Sequence, residues 1–403
     1  MPRDLTAPRS REANLARILS IVHHEGPRSR SALTEATGLN RSTIAALVAE
    51  LAAAGLVDER PPESSTRAGR PSPVVAPAAS VVAISVHPEV DAVEIAAVAL
   101  DRRIVVRERI VNAAPPSTAA VAELVAARLE EWRADALADS AVIGIGVAVP
   151  GLVRSVDGVV RNAPHLAWID EPLAARIEEA CGIRTAVDND ATLGALAEHL
   201  FGAGRDVDEL VYLNGGASGI GGGLVIHGRA ATGANGYAGE FGHNRPRIDD
   251  DADRRTADGV LEEEVNRRHL LELLALDDAD DWALAEALAA ADLPAADAEL
   301  ARQARVLSSA LANAVNVLNP AVIVLGGFLA LIDDAEHGAL VDHVARLSMR
   351  ASAETVELRT AALGSDRLLV GAAELAFRPL WTDPLAVVAR SAAPGTRIEK
   401  PGR

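Results

Sequence analysis

Residues 11–54 carry three apolar stripes at helical spacing, each cut off by a glycine, and this feature constrains the fold more than any other. Leu15, Ile18, Leu19 and Val22 follow the i, i+3, i+4, i+7 pattern of an amphipathic helix. Gly26-Pro27 ends it. Ser29 stands where it caps a second short helix through Ala36, and Gly38 makes the turn that follows. Asn40 caps a third helix, predicted from Arg41 to about Ala54, with Ile44, Leu47, Val48 and Leu51 inward. Gly55 stops that helix. The run GLVDERPPESSTRAGRPSPVVAP then reads as a short strand, a polar loop from Glu63 to Arg70 and a return strand, with a domain boundary near 70–78. Residues 1–78 are therefore predicted to form a mostly α-helical winged helix-turn-helix with a linker.

In a helix-turn-helix the second helix enters the DNA major groove with its first residues facing the base edges. Here those residues are Arg41, Ser42 and Thr43, an arginine for guanine or phosphate followed by two hydroxyls. Ala45 and Ala46, one turn on, offer only apolar contact. The competing reading is a three-helix packing module whose polar residues serve only as a cap. The segment Arg67-Ala68-Gly69-Arg70-Pro71 suits a narrow A·T-rich minor groove, or is a solvated linker.

The formal net charge of −18 bears on this expectation through its distribution. Residues 1–80 hold ten arginines against eight acidic residues, a balance of +2, so the remaining chain stands at −20. Attraction to phosphate must then be local to the head, and the acidic body repels DNA unless turned away from it. The one cysteine, Cys181, excludes a disulfide framework or a multi-cysteine zinc site within the chain. No apolar run approaches the roughly 18 residues of a membrane span. The first residues, MPRDLTAPRSREANLARIL, lack the apolar core of a signal peptide. The expected location is cytoplasmic, away from membranes.

From residue 81 the pattern changes. The stretch 81–110 reads as a three-strand antiparallel meander. A helix is expected at about 117–136, then the strand AVIGIGVAVPG, a helix at about 172–181, the strand TAVDND and a helix from Ala191 to Phe201. Strands ELVYLNGG and GLVIHG flank a glycine-rich turn, long alanine-rich helices occupy about 259–318, and AVIVLGG closes the series. Two successive α/β halves follow. Val187-Asp188-Asn189-Asp190 ends a strand before a helix, a placement that exposes carboxylates at strand ends. Such a carboxylate can accept a proton from a sugar hydroxyl. The run 215–223 is a glycine-rich turn suited either to phosphate or to a tight hairpin. Glu240 and His243 share a glycine-flanked loop where they can hydrogen-bond a polyol.

In this order, and behind such a head, these segments resemble the ROK family (repressors, open reading frames and sugar kinases). They include SRSALTEATGLNRSTIAALVAELAAAGLV with AGRP, GIGVAVPGLV with DGVVRNAPHLAW, VDNDATLGALAE, the run from GIGGGLVIHG to GANGYAGEFGH, and LNPAVIVLGG. The head brings the resemblance closer to the repressor branch, which includes xylose and N-acetylglucosamine repressors. The resemblance implies an α/β actin-like body of the sugar kinase and Hsp70 type in two lobes, 79–195 and 196–403, with the C-terminal helices able to return to the first. It also implies sugar contacts at Asn189, Asp190, Glu240, His243 and Glu262, with Gly151 at the pocket wall. Asp190 occupies the position of the catalytic base in kinase members. Without the resemblance, Asp190 reads as a carboxylate at a helix N-terminus and His243 as a satisfied loop histidine.

Three departures shape the expected function. The family's phosphate motif Asp-x-Gly-Gly-Thr is replaced after the first body strand by Ser85-Val86-His87-Pro88-Glu89. Pro88 has no N–H to donate and Glu89 repels phosphate, so phosphoryl transfer is not expected. Asp253, Arg255 and Val260 occupy the family's zinc-cysteine positions, and arginine and valine cannot ligate zinc. His165 and Ala167 replace a usual Asn and Gly, which alters ligand choice. The expectation is a non-enzymatic regulator with no cofactor and no metal. It would be a homodimer or homotetramer that binds a double-stranded DNA operator and responds to a sugar or sugar phosphate. The alternatives are a sugar kinase with an accessory head, and a regulator that has lost its ligand and answers to a protein partner.

Overall fold

A computed structural model describes residues 11–61, 72–216, 219–276, 281–291 and 293–391. The head runs α1 (Arg11–Glu25), β1 (Arg28–Ser29), α2 (Arg30–Thr37), α3 (Arg41–Ala53), β2 (Val57–Arg60) and β3 (Val74–Pro77). Then come β4 (Val81–Pro88), β5 (Ala92–Ala99), β6 (Ile104–Val111), α4 (Thr118–Ala134) and β7 (Ala141–Val149). Three short strands follow, β8 (Leu152–Arg154), β9 (Val159–Ala163) and β10 (Trp168–Glu171), and after them α5 (Leu173–Cys181) and β11 (Thr185–Asn189). The next elements are α6 (Asp190–Phe201), β12 (Leu210–Gly216), β13 (Gly219–Ile226), β14 (Arg229–Ala230), α7 (Leu261–Glu264), α8 (Arg267–Leu273), α9 (Asp281–Ala290) and α10 (Pro294–Leu318). The described chain closes with β15 (Val322–Gly327), α11 (Phe328–Leu347), α12 (Arg350–Ala353), β16 (Glu357–Thr360), α13 (Arg367–Phe377) and α14 (Pro384–Ser391).

These elements form two compact units. One takes the described residues of 1–148, 170–187 and 372–403, and the other 149–169 and 188–371.

In the first unit the three apolar stripes of the head meet as their spacing predicts, with Leu15, Ile18, Leu19, Val22, Ile44, Val48 and Leu51 all buried. Both predicted caps are made. Ser29 Oγ accepts from Ala32 N at 3.1 Å, and Asn40 Oδ1 from Thr43 N at 2.8 Å. Strand β3 pairs antiparallel with both β1 and β2, the sheet expected of a winged helix. The Glu63–Arg70 wing loop, and with it Arg67 and Arg70, lies outside the described residues. The body sheet has the order β11-β7-β4-β5-β6, with the meander antiparallel and β7 parallel to β4. Every residue of β4 is buried, because it runs between neighbours with both faces covered. Helix α13 lies against β7 at Gly146, where a Cβ would come within 1.7 Å of the Ala372 carbonyl.

The head is fixed within this unit by buried polar contacts. His23, at the end of α1, directs Nδ1 to the Leu100 carbonyl at 2.6 Å and Nε2 to Glu374 Oε1 of α13 at 2.7 Å. Both partners are acceptors, so each ring nitrogen of His23 faces an oxygen that can take a hydrogen bond. Burial alone would raise the Glu374 carboxyl, but the neighbouring His23 charge, helped by His24, holds it down at about 2. The rings of Trp381 and Phe377 flank His23 at 4.9 and 5.8 Å.

The second unit is built on the sheet β14-β13-β12-β15-β16, with β12 antiparallel to β13 and parallel to β15. Helices α10 and α11 pack with it around Leu307, Leu311, Ile323, Leu325, Phe328 and Leu329. Helix α6 sits so close to β13 that a Cβ on Gly223 would meet the Ala195 Cβ at 2.5 Å. The same Cβ would lie 2.8 Å from the Ala191 carbonyl, so the first turn of α6 is also held close to the strand. Among the described residues, the segment read as long helices over 259–318 holds four helices. Asn266 stops the register by capping α8 with its own side chain, accepting from Arg268 N at 2.8 Å. Pro294 opens α10 at a first-turn position where its missing N–H costs nothing.

Candidate functional site

The start of α3 is a surface element. Arg41 and Ser42 are exposed and Thr43 is partly so. The Asn40 cap organises this turn further, since Ser42 Oγ donates to Asn40 Oδ1 at 2.7 Å. The hydroxyl proton is thereby engaged, and Ser42 faces outward as an acceptor. Arg41 is the exposed cation of the turn.

The second unit brings the predicted sugar contacts together. Asn189 caps α6 through Thr192 N at 2.9 Å, while its Nδ2 donates to the Gly151 carbonyl at 3.0 Å. Gly151 has no room for a side chain, as a Cβ would lie 2.5 Å from the Asn162 carbonyl. Asn189 thus pins the turn before β8 to the helix start, with a second amide N–H on the same nitrogen. Asp190 follows at the first turn of α6 and accepts from Ala191 N at 2.7 Å. Both readings of this residue, dipole partner and site carboxylate, fit the one placement.

Glu240, His243 and Glu262 complete the group. His243 Nε2 lies 3.9 Å from Glu262 Oε1, with the histidine side chain 71% exposed. Glu262 Oε2 accepts from Ile220 N at 3.3 Å, and a Cβ on Gly219 would strike it at 2.4 Å. The glycine-rich turn is therefore needed here to admit a carboxylate. Desolvation pushes the Glu240 carboxyl above its ordinary range; His243 pulls it down, and the charges of Asp190 and Glu262 push it up. Three carboxylates, an amide N–H and an imidazole within electrostatic reach make a surface of acceptors and donors suited to the hydroxyls of a polyol. Ala217 and Ser218 of the glycine-rich turn lie outside the described residues.

In the first unit the stretch in place of a phosphate loop is a closed acidic hairpin. Glu89 N donates to the Ala92 carbonyl at 2.7 Å, and Ser85 is buried in β4. Arg109 of β6 binds Asp91 at 2.6 Å and lies 3.7 Å from Glu89. His87 is tied to the Ala148 carbonyl at 2.9 Å and lies 3.4 Å from Glu89. Two carboxylates thus occupy a turn that phosphate binding requires to be electropositive.

Sequence reasoning missed what holds the loop where zinc ligands were sought. Arg302 of α10, 3% exposed at its side chain, grips Glu299 with Nε at 2.9 Å and Nη2 at 2.7 Å. It also donates to the carbonyls of Asp253 at 2.7 Å and Glu264 at 2.5 Å. Glu264, fully buried, accepts from the backbone N–H groups of Arg255 at 2.8 Å and Thr256 at 2.9 Å. Arg305 forks onto Asp253 at 2.8 and 2.7 Å. The loop leads into α7, which carries Glu262, and Leu261 N donates to the Asn244 carbonyl beside His243 at 2.8 Å. The one available signal was the i, i+3, i+4 set Glu299, Arg302, Gln303 on the inward face of a helix.

Comparison with known proteins places this architecture. Residues 84–378 match the ROK family and residues 15–68 the MarR family. A xylose repressor of Caldicellulosiruptor bescii is 31% identical over 200 residues, 46% of this chain and 50% of that protein. A glucokinase of Halalkalibacterium halodurans is 32% identical over 253 residues, 58% of this chain and 75% of that one. The chain spans about half the length of the first curated relatives it matches. A crystal structure of a ROK family transcriptional regulator, described as a homologue of the E. coli MLC protein, superposes with a TM-score of 0.75. It is 24% identical and covers 94% of this chain and 99% of that one, a likeness of fold.

Proposed function

Because the chain belongs to the ROK family, we propose that it is a DNA-binding transcription regulator, a repressor of carbohydrate genes, whose body senses a sugar or sugar phosphate without phosphorylating it. The observation that carries this reading is the pairing of a capped, exposed recognition turn at Arg41–Thr43 with a polyol-type constellation at Asn189, Asp190, Glu240, His243 and Glu262. The acidic hairpin at Glu89 and Asp91 supports the second clause, since it opposes the nucleotide phosphates a kinase must hold. Arg67 and Arg70 would extend the grip into the minor groove. The protein would act in the cytoplasm as a homodimer, reading two half-sites one or more turns of roughly 34 Å apart. Effector binding would shift the population between forms of different DNA affinity.

The test is a mobility-shift assay against DNA upstream of its own gene, with competitor DNA present. A specific complex, weakened by Arg41→Ala and dissolved by one sugar of a panel, is the expected result. Equal binding to all sequences rejects the proposal.

A second reading, a hexose kinase with an accessory head, is favoured by the retained Asp190 carboxylate and by the glucokinase relative. Incubation with ATP, Mg²⁺ and hexoses decides it. Turnover that disappears in Asp190→Asn would establish the kinase and remove the non-catalytic reading.

A further inference from the structure

We propose that His23, His24 and Glu374 form a binding site for a divalent first-row transition-metal ion, which ties the head to the C-terminal helix α13. The donor atoms are two imidazole nitrogens and a carboxylate, and all lie within 4.8 Å of one another. A tetrahedral ion with bonds of about 2.0–2.2 Å separates its ligand atoms by roughly 3.3 Å. His23 Nε2 stands 2.7 Å from Glu374 Oε1 and His24 Nε2 stands 3.8 Å from Oε2. These distances run to different oxygens of the one carboxylate, so the carboxylate must turn to offer one oxygen to both rings, and donor atoms that now lie within 4.8 Å of one another must settle to that spacing by side-chain rotation.

Both rings already carry the outer partner that metal-bound histidines use to fix tautomer and direction. His23 gives Nδ1–H to the Leu100 carbonyl at 2.6 Å, and His24 turns Nδ1 to Ser20 Oγ at 3.1 Å. Each ring therefore points Nε2 at the same carboxylate. Without an ion, His23 donates its Nε2 proton to Glu374; an ion takes that proton's place between them. His23 and Glu374 are buried and walled by Phe377 and Trp381, while the His24 side chain is 27% exposed. That edge gives the ion its way in and leaves a water as fourth ligand. Two imidazoles with one carboxylate suit Zn²⁺, Co²⁺ or Ni²⁺ rather than Mg²⁺ or Ca²⁺.

The placement implies a consequence for regulation, and this part alone rests on the DNA-binding reading. The ion would brace the helix that packs beneath the recognition unit, so metal supply would alter how firmly the head is held.

The experiment uses the untagged, full-length chain freed of metal by chelation. Zn²⁺ is titrated calorimetrically, and Co²⁺ is followed by its visible d–d absorption. The expected result is one ion per chain, with nitrogen-oxygen tetrahedral cobalt bands and a rise in the unfolding temperature. His24→Ala, at the partly exposed ligand, should abolish the site while leaving the His23–Glu374 contact in place. Ser20→Ala should weaken binding by about tenfold. Failure of the chain to bind either ion overturns the proposal, as does stoichiometric binding that His24→Ala leaves unchanged. Because neither readout involves DNA, both outcomes are independent of whether the chain is a regulator.

Discussion

Two clusters of buried charge hold parts of this molecule that local sequence leaves unsupported, and they are built on opposite plans. The Arg302 cluster in the second unit is closed. One guanidinium faces two carboxylates, both carboxylates accept further N–H groups, and the spare donors end on backbone carbonyls. The His23 cluster in the first unit is looser. One carboxylate serves two imidazoles, one at 2.7 Å and the other at 3.8 Å. A network whose carboxylates and guanidinium satisfy one another acts as a permanent staple. A looser one has capacity for another partner. The loop at which the resemblance implied zinc ligands is here stapled by side chains, whereas the head is held by a contact that can be strengthened.

The largest predicted effect follows from the closed plan. Arg302→Met keeps the stem and removes the charge, stranding Glu264 and Glu299 in the interior. Breaking a buried pair from one side costs about 3–5 kcal/mol, read as a lowered midpoint of urea unfolding. On the proposed reading, sugar-dependent stabilisation should be lost with it, because Arg302 anchors the end of α7, which carries Glu262. The same cluster should show in acid. Burial opposes the charge on Glu299, yet His269, Arg302 and Gln303 together hold its carboxyl far below the ordinary range. A depressed folded value means the stabilisation is full above the unfolded value of about 4.3 and falls away as pH drops through and below it. Glu299→Gln should flatten the stability curve in that acid window. A curve that keeps its full slope would mean the network is ornamental.

Much of this architecture could be read in the chain beforehand, and the gaps have a common physical cause. Caps at Ser29 and Asn40 and the break at Gly38 are decided within four residues of themselves, the meander from Val81 pairs strands that follow one another in sequence, and all formed as expected. The residues that the resemblance implies as sugar contacts are brought together by the structure, though Asn189 spends much of its amide on Thr192 and Gly151. Illegible were the pairings set by tertiary distance. Arg302 meets Glu264 from 38 positions away, and His23 meets Glu374 from 351. A charged residue on an apolar helix face announces that a partner exists but not which one. The small sheet β10-β9-β8 was missed because its strands are three to five residues long and lack a clear alternation.

Next in size is Glu374→Gln. The amide can still accept from His23, so the hydrogen bond survives and only its charge assistance is lost. The cost should be about 1–2 kcal/mol, measured by chemical denaturation with chelator present. A loss as large as that of Arg302→Met would show that the head contact is a second permanent staple rather than a contact open to strengthening.

The smallest effects sharpen the contrast at the edges of the two clusters. Thr256 Oγ1 donates to Glu264 Oε1 at 3.1 Å and accepts from Gly259 N at 3.1 Å. Thr256→Val keeps the shape and removes both bonds, and should cost about 1–2 kcal/mol. Ser20 Oγ pairs with His24, and the residue lies inside α1, where alanine is the better helix former by about half a kcal/mol. Ser20→Ala gives up one part-buried hydrogen bond of about 0.5–1 kcal/mol, and the helical gain offsets most of it. Under chelation its unfolding midpoint should barely move. With Zn²⁺ present the same substitution should become visible, since the serine then steadies a metal ligand. If Ser20→Ala costs as much as Thr256→Val without metal, the head cluster is as complete as the loop cluster and has no place for an ion.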